Sequence, residues 1–295
     1  MPDRSFDAPR GVIAPIFTPF EDDGTIATSL FVDHALSLLD AGCVALAPFG
    51  TTGEGTSLSS DERIEALAAL IAAGVDPAKL IPGAGSSSLT ETARLSTACM
   101  NLGCAGVMNL PPYYYKAASD EGLYAYFARL IELIGFDDLR LYLYHIPQVA
   151  GVGLSVDLVR RLFADFDEVA AIKDSSGDLA NTEALLGIEG LAVYPSAESA
   201  LSRVLPLGAP GCITASANLV AAPIARLIEA WDRDPREASA LQPAVTASRL
   251  TVQGHPLIEG QKQVKALTTG DERWANTRPP LTPYDAEKGA ALGRE

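Results

Sequence analysis

The chain has 295 residues, and its 22 lysines and arginines against 37 aspartates and glutamates give a formal net charge of −15. Binding to nucleic acid or to an anionic membrane surface needs clustered cations, so this balance argues against both partners. The longest apolar run, residues 66–73, is far shorter than the ~20 residues of a membrane-spanning helix. With 48% hydrophobic residues, the chain can form one large α/β domain.

The N-terminus and the cysteines point to a reducing compartment. The first residues include Asp3 and Asp7 and have no apolar run, so they do not resemble a signal peptide. The four cysteines have no CxxC spacing, and the three histidines have no metal-ligand spacing. We therefore predict a cytoplasmic protein without a metal or other cofactor, whose reduced thiols are Cys43, Cys99, Cys104 and Cys212.

Eight short apolar segments recur along the chain, each bounded by turn residues. Most are apolar at consecutive positions, which is typical of parallel strands that are buried on both faces. The predicted strands are 11–20, 43–50, 80–85, 106–114, 140–147, 169–175, 191–196 and 211–217.

Helical patterns occupy the intervals between these segments. Two of them begin with a hydroxyl residue followed by acids, at Ser59 and Ser119, which is favourable at a helix N-terminus. Glycine follows several of them, where a left-handed residue commonly ends a helix. The predicted helices are 28–41, 59–73, 90–102, 120–134, 155–164, 179–186, 199–207 and 219–231.

The alternation of strand and helix predicts an α/β fold, a (β/α)8 TIM barrel. An open doubly wound sheet has similar local patterns, but no Gly-x-Gly-x-x-Gly motif follows the first strand, which disfavours a dinucleotide-binding version. The alternation stops after Trp231. We therefore predict a mobile segment at 1–10, the barrel at 11–233 and a C-terminal helical extension at 234–295 that packs on the barrel.

A lysine in the sixth predicted strand is the first candidate for catalysis, because barrels of this kind carry their chemistry at the carboxyl ends of the strands. Lys173 follows four apolar residues, 169–172. Burial disfavours a charged ammonium group, and a neutral amine can attack a ketone to form a Schiff base. Alternatively, Lys173 lies just past the strand and pairs with Asp174 or another acid.

Two loops on the same predicted rim add polar groups. Residues 50–55, after the second predicted strand, combine glycines with two threonines, and their N–H groups could form an anion-binding nest. An ordinary turn has the same composition. Three consecutive tyrosines, 113–115, follow two prolines at the end of the fourth predicted strand. They form a rigid aromatic edge, although buried aromatic residues give the same pattern.

The fifth predicted strand ends in Tyr144 and His145. A phenol directed into the mouth of the barrel can relay protons. His145 is either a base or a structural histidine whose ring nitrogens are satisfied. Together, the candidates lie at the ends of the second, fourth, fifth and sixth predicted strands, and therefore on one rim.

Four motifs in this order resemble the dihydrodipicolinate synthase / N-acetylneuraminate lyase family. They are Gly-Thr-Thr-Gly-Glu at 50–54, Pro-Tyr-Tyr at 112–114, Tyr-x-x-Pro at 144–147 and Ile-Lys-Asp at 172–174. The resemblance runs from about residue 11 to residue 281, nearly the whole chain. It implies a class I aldolase-type barrel that assembles as a homotetramer, a dimer of dimers, and that needs no metal or nucleotide.

The resemblance also implies a role for each matching residue. Lys173 would form the Schiff base with the carbonyl of a 2-oxo acid, and Tyr144 would shuttle protons near that imine. The Thr51 hydroxyl would link Tyr144 to Tyr114, which would reach in from a neighbouring subunit. The backbone N–H groups of Thr51 and Thr52 would hold the substrate carboxylate. Two further positions fall where the family lines the pocket, namely Ser196 and the backbone of Ile213.

One departure from the family pattern bears on the substrate. Synthases of the lysine pathway resemble Tyr-x-x-Pro-x-Arg, where the arginine meets a substrate carboxylate, but here Val149 stands in the arginine position. A valine cannot make that charge-assisted contact. Sialic acid lyases also have an apolar residue there, but usually have asparagine at the position of His145. They use acids where this chain has Ala197 and Glu198, so only Glu198 remains to meet a polyol tail.

We therefore favour a lyase or dehydratase that acts on a 2-keto-3-deoxy sugar acid or a similar 4-hydroxy-2-oxo acid. The first alternative is dihydrodipicolinate synthase itself, which condenses pyruvate with aspartate semialdehyde. The second is a non-catalytic barrel that binds a 2-oxo acid, which the intact set of Lys173, Tyr144, Thr51 and Tyr114 disfavours.

Overall fold

The computed structural model describes residues 6–285 and 288–289, and parallel strands alternate with helices along most of this stretch. The barrel strands are short and buried, as expected for strands covered on both faces. They are β1 (Gly11–Ala14), β2 (Cys43–Leu46), β3 (Val107–Asn109), β4 (Leu141–His145), β5 (Val169–Asp174), β6 (Ala192–Pro195) and β7 (Gly211–Ile213).

Helices follow the strands, and several of them begin after a serine or aspartate whose side chain caps the first turn. Ser59 and Glu62 form a capping box, in which the Ser59 hydroxyl accepts from the Glu62 N–H and the Glu62 carboxylate accepts from the Ser59 N–H. The helices are α1 (Thr28–Asp40), α2 (Ser60–Ala72), α3 (Leu89–Asn101), α4 (Asp120–Ile134), α5 (Pro147–Ala150), α6 (Val156–Asp165), α7 (Leu179–Leu186), α8 (Leu201–Val204), α9 (Ala217–Arg233), α10 (Pro235–Gln253) and α11 (Leu257–Thr269).

The strands pair in two parallel arcs, in the orders β2-β1-β7 and β3-β4-β5-β6. The predicted strand at 80–85 joins the arcs without forming a continuous ladder, because Pro82 has no N–H to donate. Its neighbours still pair: the Ile81 N–H donates to the Leu46 carbonyl at 2.8 Å, and the Met108 N–H donates to the Pro82 carbonyl at 2.9 Å. On the other side, β6 lies beside β7. The predicted (β/α)8 barrel with a C-terminal helical part is therefore confirmed.

Alternation along each strand sends side chains either to the helices or into the barrel. On β4, Leu141 and Leu143 pack in the layer under the helices, whereas Tyr142 and Tyr144 belong to a separate apolar cluster inside the barrel. Ala171 of β5 belongs to the same interior cluster, and Lys173 shares its face of the strand two residues on. Because side chains alternate between the two faces of a strand, Lys173 and Tyr144 both point into the interior of the barrel.

The start of the described chain covers one end of the barrel. The Phe6 ring packs edge-on against Tyr142 with centroids 6.1 Å apart, and the Tyr194 hydroxyl donates to the Pro9 carbonyl at 2.9 Å. Residues 6–10 of the predicted mobile segment therefore contact the barrel, whereas residues 1–5 lie outside the described residues.

The C-terminal helices pack on the last barrel helix, and Ala266 of α11 belongs to a small apolar cluster against which Leu30 of α1 packs. α10 lies along α9, and α11 brings Lys262 and Gln261 into buried positions. Residues 286–287 and 290–295 of the predicted extension lie outside the described residues, and the boundaries at 10/11 and 233/234 stay a prediction. Across 6–285 and 288–289, no helix has the length and apolar composition needed to cross a membrane.

All four cysteines are buried with free thiols. Burial raises the pKa of the Cys43 thiol to about 12 and that of Cys212 well above its ordinary value. Because the thiolate is the reactive form, these two groups are chemically quiet near neutral pH.

Candidate active site

The centre of the candidate site is a lysine and a tyrosine on neighbouring strands. The β4–β5 register pairs Tyr144 with Lys173, and each residue is only 3% exposed. The Lys173 Nζ lies 4.4 Å from the centroid of the Tyr144 ring. Two adjacent parallel strands therefore hold a primary amine against the face of a phenol, inside the barrel and near its carboxyl-terminal end.

Thr51 reaches this pair from the loop after β2. Its hydroxyl lies 3.3 Å from the Tyr144 hydroxyl and is hydrogen-bonded to it. The loop turns back sharply, since the N–H of Gly55 donates to the Gly50 carbonyl at 3.1 Å. A side chain at Gly55 is excluded because its Cβ would lie 1.9 Å from the Phe49 carbonyl oxygen. Gly55 is thus required for the turn that presents Thr51.

Thr52 follows in the same turn and is 3% exposed. Thr51 lines the cavity described below but Thr52 does not, and the carboxylate-binding role of their N–H groups stays a prediction. Behind both threonines, the Thr18 hydroxyl donates to the Gly53 carbonyl at 2.7 Å. The loop is therefore held by the Thr18 hydroxyl as well as by its own hydrogen bonds.

A buried ion pair fixes the end of this loop to the C-terminal helices. Glu54 and Lys262 are both fully buried, and the Lys262 Nζ donates to Glu54 Oε1 at 2.5 Å and to the Thr18 carbonyl at 2.9 Å. The other carboxylate oxygen of Glu54 accepts from the Arg278 N–H at 3.0 Å. Burial lowers the pKa of Lys262, and the Glu54 carboxylate opposes this effect. Sequence reasoning missed Lys262, because nothing near it in the chain indicates a partner at residue 54.

A cavity of about 170 Å³ opens beside Thr51 and Tyr144. Tyr113 lines it from the loop after β3, and Val149 lines it from α5 with 61% of its surface exposed. The exposed Val149 lies at the mouth of the cavity, and the sequence analysis predicts that this position faces the substrate. Arg63, on α2, also lines this cavity and was not predicted as a site residue.

Tyr114 is not brought to Thr51 within one chain. It is 73% exposed and packs edge-on against Tyr115, with ring centroids 5.4 Å apart. Lys116 steadies the segment, since its Nζ donates to the carbonyls of Tyr113 and Ala150 at 2.5 and 2.8 Å. The segment therefore presents Tyr113 to its own cavity and directs Tyr114 to solvent.

His145 is buried next to the site but faces away from it. Its Nδ1 accepts from the Leu154 N–H at 2.9 Å, and the residue is 7% exposed. Burial lowers the pKa of His145, and the nearby Asp174 carboxylate opposes this effect. These contacts favour the structural histidine over the base.

The remaining predicted site residues lie at the ends of β6 and β7. Ile213 is buried in the interior cluster, and the Ser196 carbonyl accepts from Arg249 of α10. Glu198 is fully buried, and its Oε2 accepts from the Thr214 hydroxyl at 2.5 Å and from Arg249 Nη1 at 3.0 Å. Its Oε1 has no hydrogen-bond partner. Arg249 is thus hydrogen-bonded to one oxygen of the Glu198 carboxylate, the group that was predicted to meet a substrate tail.

No group of three or more histidine, cysteine or acidic side chains in the described ranges is arranged to hold a metal ion. The polar groups that line the cavity are instead phenols, hydroxyls and a guanidinium, and the Lys173 amine lies behind them against the ring of Tyr144. This set suits covalent and acid–base chemistry on a small carbonyl compound.

Comparison with known proteins agrees with the geometry. Residues 8–294 match the sequence profile of the Dihydrodipicolinate synthetase family. The chain is 33% identical over 288 residues to an uncharacterized DapA-like lyase of Chloroflexus aurantiacus, covering 96% of this chain and 95% of that one.

Solved structures share the fold over nearly the full length. Dihydrodipicolinate synthase of Agrobacterium tumefaciens is 34% identical, with a TM-score of 0.85 over 96% of this chain and 97% of that chain. Dihydrodipicolinate synthase of Acinetobacter baumannii, solved with pyruvate, is 26% identical, with a TM-score of 0.89 over 97% of each chain.

Proposed function

The chain belongs to the Dihydrodipicolinate synthetase family, whose members are lyases, and from this premise we propose that it forms a Schiff base between Lys173 and a 2-oxo acid. The observation that carries the proposal is the juxtaposition of three groups. The Lys173 amine lies against the Tyr144 ring, and the Tyr144 hydroxyl is hydrogen-bonded to Thr51. An amine nucleophile and a proton carrier are thus already adjacent, as covalent carbonyl chemistry requires.

The proposed reaction begins with attack of the neutral Lys173 amine on the C2 carbonyl of the substrate. Loss of water leaves a protonated imine, which draws electrons from the C3–C4 bond. Tyr144 gives its phenolic proton to the departing water, and the phenolate then accepts the proton of the C4 hydroxyl as the C3–C4 bond breaks, so an aldehyde leaves and an enamine remains on the lysine. Return of a proton to C3 and hydrolysis of the imine release pyruvate and restore Lys173.

The substrate carboxylate lies, in this proposal, against the backbone N–H groups of Thr51 and Thr52. The hydrogen bond from the loop to Tyr144 couples carboxylate binding to the phenol that moves protons. Ser196 and the backbone of Ile213 complete the proposed lining at the ends of β6 and β7.

The proposed substrate is a 2-keto-3-deoxy sugar acid or a similar 4-hydroxy-2-oxo acid, cleaved or dehydrated. The observation that favours this class is Val149 at the cavity mouth, where a cation would be needed to hold a second carboxylate. His145 and Glu198 were the other predicted specificity positions, but His145 faces away from the cavity and Glu198 is fully buried beside Arg249, so the proposal gives neither of them a contact with the substrate.

Condensation of pyruvate with aspartate semialdehyde is a second candidate function. Its support is the 34% identity to the synthase of Agrobacterium tumefaciens over nearly the whole chain. The valine at position 149 argues against it, because the semialdehyde carries its own carboxylate.

We also propose a homotetramer, a dimer of dimers, in a cytoplasmic location. The support for assembly is Tyr114, which is exposed and packs against Tyr115. Tyr114 has no role within its own chain and could complete the site of a neighbouring subunit. The net charge of −15 agrees with a small-molecule substrate and with the absence of a nucleic-acid partner.

Two assays test the proposed function. Pyruvate and borohydride together should add one reduced pyruvyl group to the wild-type chain, and peptide mapping should place it on Lys173. A set of 2-keto-3-deoxy acids should then be screened for pyruvate release in parallel with pyruvate and aspartate semialdehyde. Absence of an adduct would support the non-catalytic barrel, and faster turnover of the semialdehyde would favour the synthase.

A further inference from the structure

A second cavity lies outside the candidate active site, between the last barrel helix and the C-terminal helices. It has a volume of about 310 Å³ and is lined by residues of α9, α10 and α11 and by the residue that precedes α9. Among the described residues, it shares no lining residue with the cavity beside Thr51 and Tyr144. A cavity of this size can admit a small metabolite, so the chemistry of its walls decides which class of molecule it fits.

Lys265 of α11 is the one charged side chain in the described lining of this cavity. Its Nζ donates to the Asn218 carbonyl at 3.4 Å, which is longer than an ordinary N–H···O bond. The same Nζ lies 5.6 Å from the centroid of the Trp274 ring. An ammonium group has three N–H donors, so one long bond leaves most of its hydrogen-bonding capacity unused.

The charge of Lys265 is not compensated by the described part of the chain. Lys262, one turn earlier on α11, is paired with Glu54 at 2.5 Å, but no acid among residues 6–285 and 288–289 forms an ion pair with Lys265. Burial lowers the pKa of Lys265, and no carboxylate opposes this effect as Glu54 does for Lys262. In a chain with a net charge of −15, a half-buried cation without an acid calls for a negative partner from outside.

Hydroxyl groups from two helices surround the same space. Ser248 and Thr251 line it from α10, and Thr268 lines it from α11. The Ser248 and Thr251 hydroxyls donate to carbonyls of their own helix at 3.2 and 3.3 Å, distances longer than those of an ordinary O–H···O bond. Such weak bonds are readily exchanged for bonds to an anion, because a charge-assisted hydrogen bond is about twice as strong as a neutral one.

A fourth hydroxyl at the wall of the cavity has no partner in the described structure. Ser216 precedes α9 and is only 2% exposed, and its Oγ forms no hydrogen bond. It occupies the N-cap position of α9, but its side chain does not cap the helix. A buried hydroxyl that stays unpaired costs free energy, so this one indicates a polar partner that the described chain does not supply.

From these contacts we infer that the cavity between α9, α10 and α11 is a binding site for a phosphate group, with Lys265 as its cation. An ammonium group acts as a point charge and suits a tetrahedral oxyanion, whereas a planar carboxylate is better matched by the fork of an arginine. Apolar side chains line the rest of the cavity, namely Leu219, Val220 and Val264. They leave room for a carbon portion attached to the phosphate, so the ligand class is free phosphate or a small phosphomonoester.

The site adjoins a network that holds the ends of two barrel strands. Asn218, whose carbonyl accepts from Lys265, also accepts from the Phe17 N–H through its side-chain Oδ1 at 3.0 Å. The Nδ2 of Asn218 donates to the carbonyls of Pro15 and Ala215, which follow β1 and β7, at 2.9 Å each. The cavity itself contains none of the groups proposed for catalysis, so the existence of the phosphate site does not depend on the proposed function.

Inorganic phosphate is the probe for the site, and the test uses the full-length chain. Isothermal titration calorimetry with phosphate should be carried out on the wild type, on Lys265→Met, which keeps an unbranched side chain without charge, and on Lys265→Arg, which keeps the charge. Lys79→Met is the matched control, since Lys79 is an exposed lysine outside this cavity. The net charge of −15 keeps non-specific binding of phosphate low.

Phosphate should bind the wild type and Lys79→Met equally, with at least a tenfold loss of affinity in Lys265→Met and partial retention in Lys265→Arg. Absence of binding to the wild type, or equal affinity of the wild type and Lys265→Met, would overturn the inference. If Lys265→Met does not fold, wild-type crystals soaked in arsenate, a phosphate analogue, decide the matter. An anomalous peak beside the Lys265 amine supports the site, and its absence refutes it.

The source of the phosphate group is distinguished with glycerol 3-phosphate, a phosphomonoester, and with glycerol, which lacks the charge. Tighter binding of glycerol 3-phosphate than of inorganic phosphate, without binding of glycerol, would identify a phosphomonoester as the ligand. Binding of glycerol 3-phosphate that is no tighter would identify free phosphate. Acetate that binds as tightly as phosphate, and that loses its affinity in Lys265→Met, would overturn the assignment of the site to phosphate.

Discussion

Tyr144 and Lys173 occupy paired positions on β4 and β5, and the lysine amine lies 4.4 Å from the centre of the phenol ring. The pairing is set by backbone hydrogen bonds of the barrel and not by a mobile loop. The proposed nucleophile and the proposed proton carrier are therefore positioned before any substrate enters, so the proposed reaction needs little further ordering of these two groups.

Replacement of Lys173 by alanine should abolish turnover and leave the fold intact. The amine is the only part of the proposed chemistry that no neighbour can supply, and the barrel interior tolerates the small residue Ala171 on the same face. Circular dichroism and a pyruvate-release assay check this. Lys79→Ala, at an exposed lysine, should keep wild-type rates, and measurable turnover by Lys173→Ala would contradict the Schiff-base role.

Replacement of Tyr144 by phenylalanine should lower kcat by roughly 10²–10⁴-fold, the usual scale for loss of acid–base catalysis. The ring that packs against Lys173 is retained, so borohydride trapping of pyruvate should persist at a reduced rate. Steady-state kinetics and trapping measure the two effects separately. Tyr115→Phe, at an exposed tyrosine, is the control, and an unchanged kcat in Tyr144→Phe would remove the phenol from the mechanism.

Thr51→Val should also lower kcat, but by less than Tyr144→Phe does. It removes the hydroxyl that lies 3.3 Å from the Tyr144 hydroxyl but preserves the shape of the side chain. A neutral hydrogen bond contributes about 0.5–1.5 kcal/mol, so kcat should fall by about tenfold or less if only this contact is lost. A loss as large as that in Tyr144→Phe would assign Thr51 a direct part in proton transfer.

Val149→Arg should shift the preference toward aspartate semialdehyde. The position is 61% exposed at the cavity mouth, so an arginine can be accommodated and can pair with the carboxylate of the semialdehyde. The ratio of kcat/KM values for the semialdehyde and for a 2-keto-3-deoxy acid should rise by about tenfold or more. Val149→Gln, which lacks the charge, serves as the control, and an equal rise in both variants would exclude electrostatic recognition.

Removing one partner of the Glu54–Lys262 pair should destabilise the protein strongly. Both side chains are fully buried, so Lys262→Met leaves an uncompensated carboxylate and Glu54→Gln leaves an uncompensated ammonium group. Each should lower the free energy of unfolding by about 3–5 kcal/mol, as measured by urea denaturation. The double variant should lose less than the sum of the two, and strict additivity would show that the charges do not interact.

His34 should make the protein sensitive to mild acid. Burial, with the nearby Lys265 charge, lowers the pKa of His34 to about 3 from the ordinary value of 6.5. As the pH falls below 6.5, the unfolded chain therefore takes up a proton that the folded protein resists, so stability decreases. Above that pH this contribution is fully present.

Relative to His34→Gln, the wild type should lose about 1.4 kcal/mol of stability per pH unit between roughly pH 6 and pH 4. Urea denaturation at a series of pH values measures the difference. The Nε2 of His34 is hydrogen-bonded to Asn218 at 2.8 Å, a contact that glutamine can replace in part. If the free energies of unfolding of the wild type and His34→Gln fall equally with decreasing pH, the pKa of His34 is not lowered on folding.

The barrel and the clustering of Lys173 with Tyr144 and Thr51 could be predicted because the determining signals are local. Apolar runs mark strands, Ser59 marks a helix start, and the two-residue period carries Lys173 into the interior with Ala171. The predicted third strand shows the limit of such patterns. Pro82 lies in an apolar run that has the composition of a strand but cannot complete the hydrogen bonds of one.

Groups that act through distant partners were not predictable in this way. Arg63 has the sequence of an ordinary surface residue in the first turns of a helix, and only the packing of α2 against the loop after β2 places it in the cavity. Tyr114 illustrates the same limit, because the structure of one chain leaves it in solvent and its proposed role depends on a neighbouring subunit.

Glu54 leaves the ribosome 208 residues before Lys262. During synthesis, the loop that carries Thr51 therefore emerges with an acid whose counter-charge has not yet been made. The barrel can begin to assemble, but this loop gains its buried ion pair only when α11 and residue 278 arrive. We therefore expect that a chain truncated before residue 262 would contain Lys173 but would lack the ion pair that holds the loop carrying Thr51.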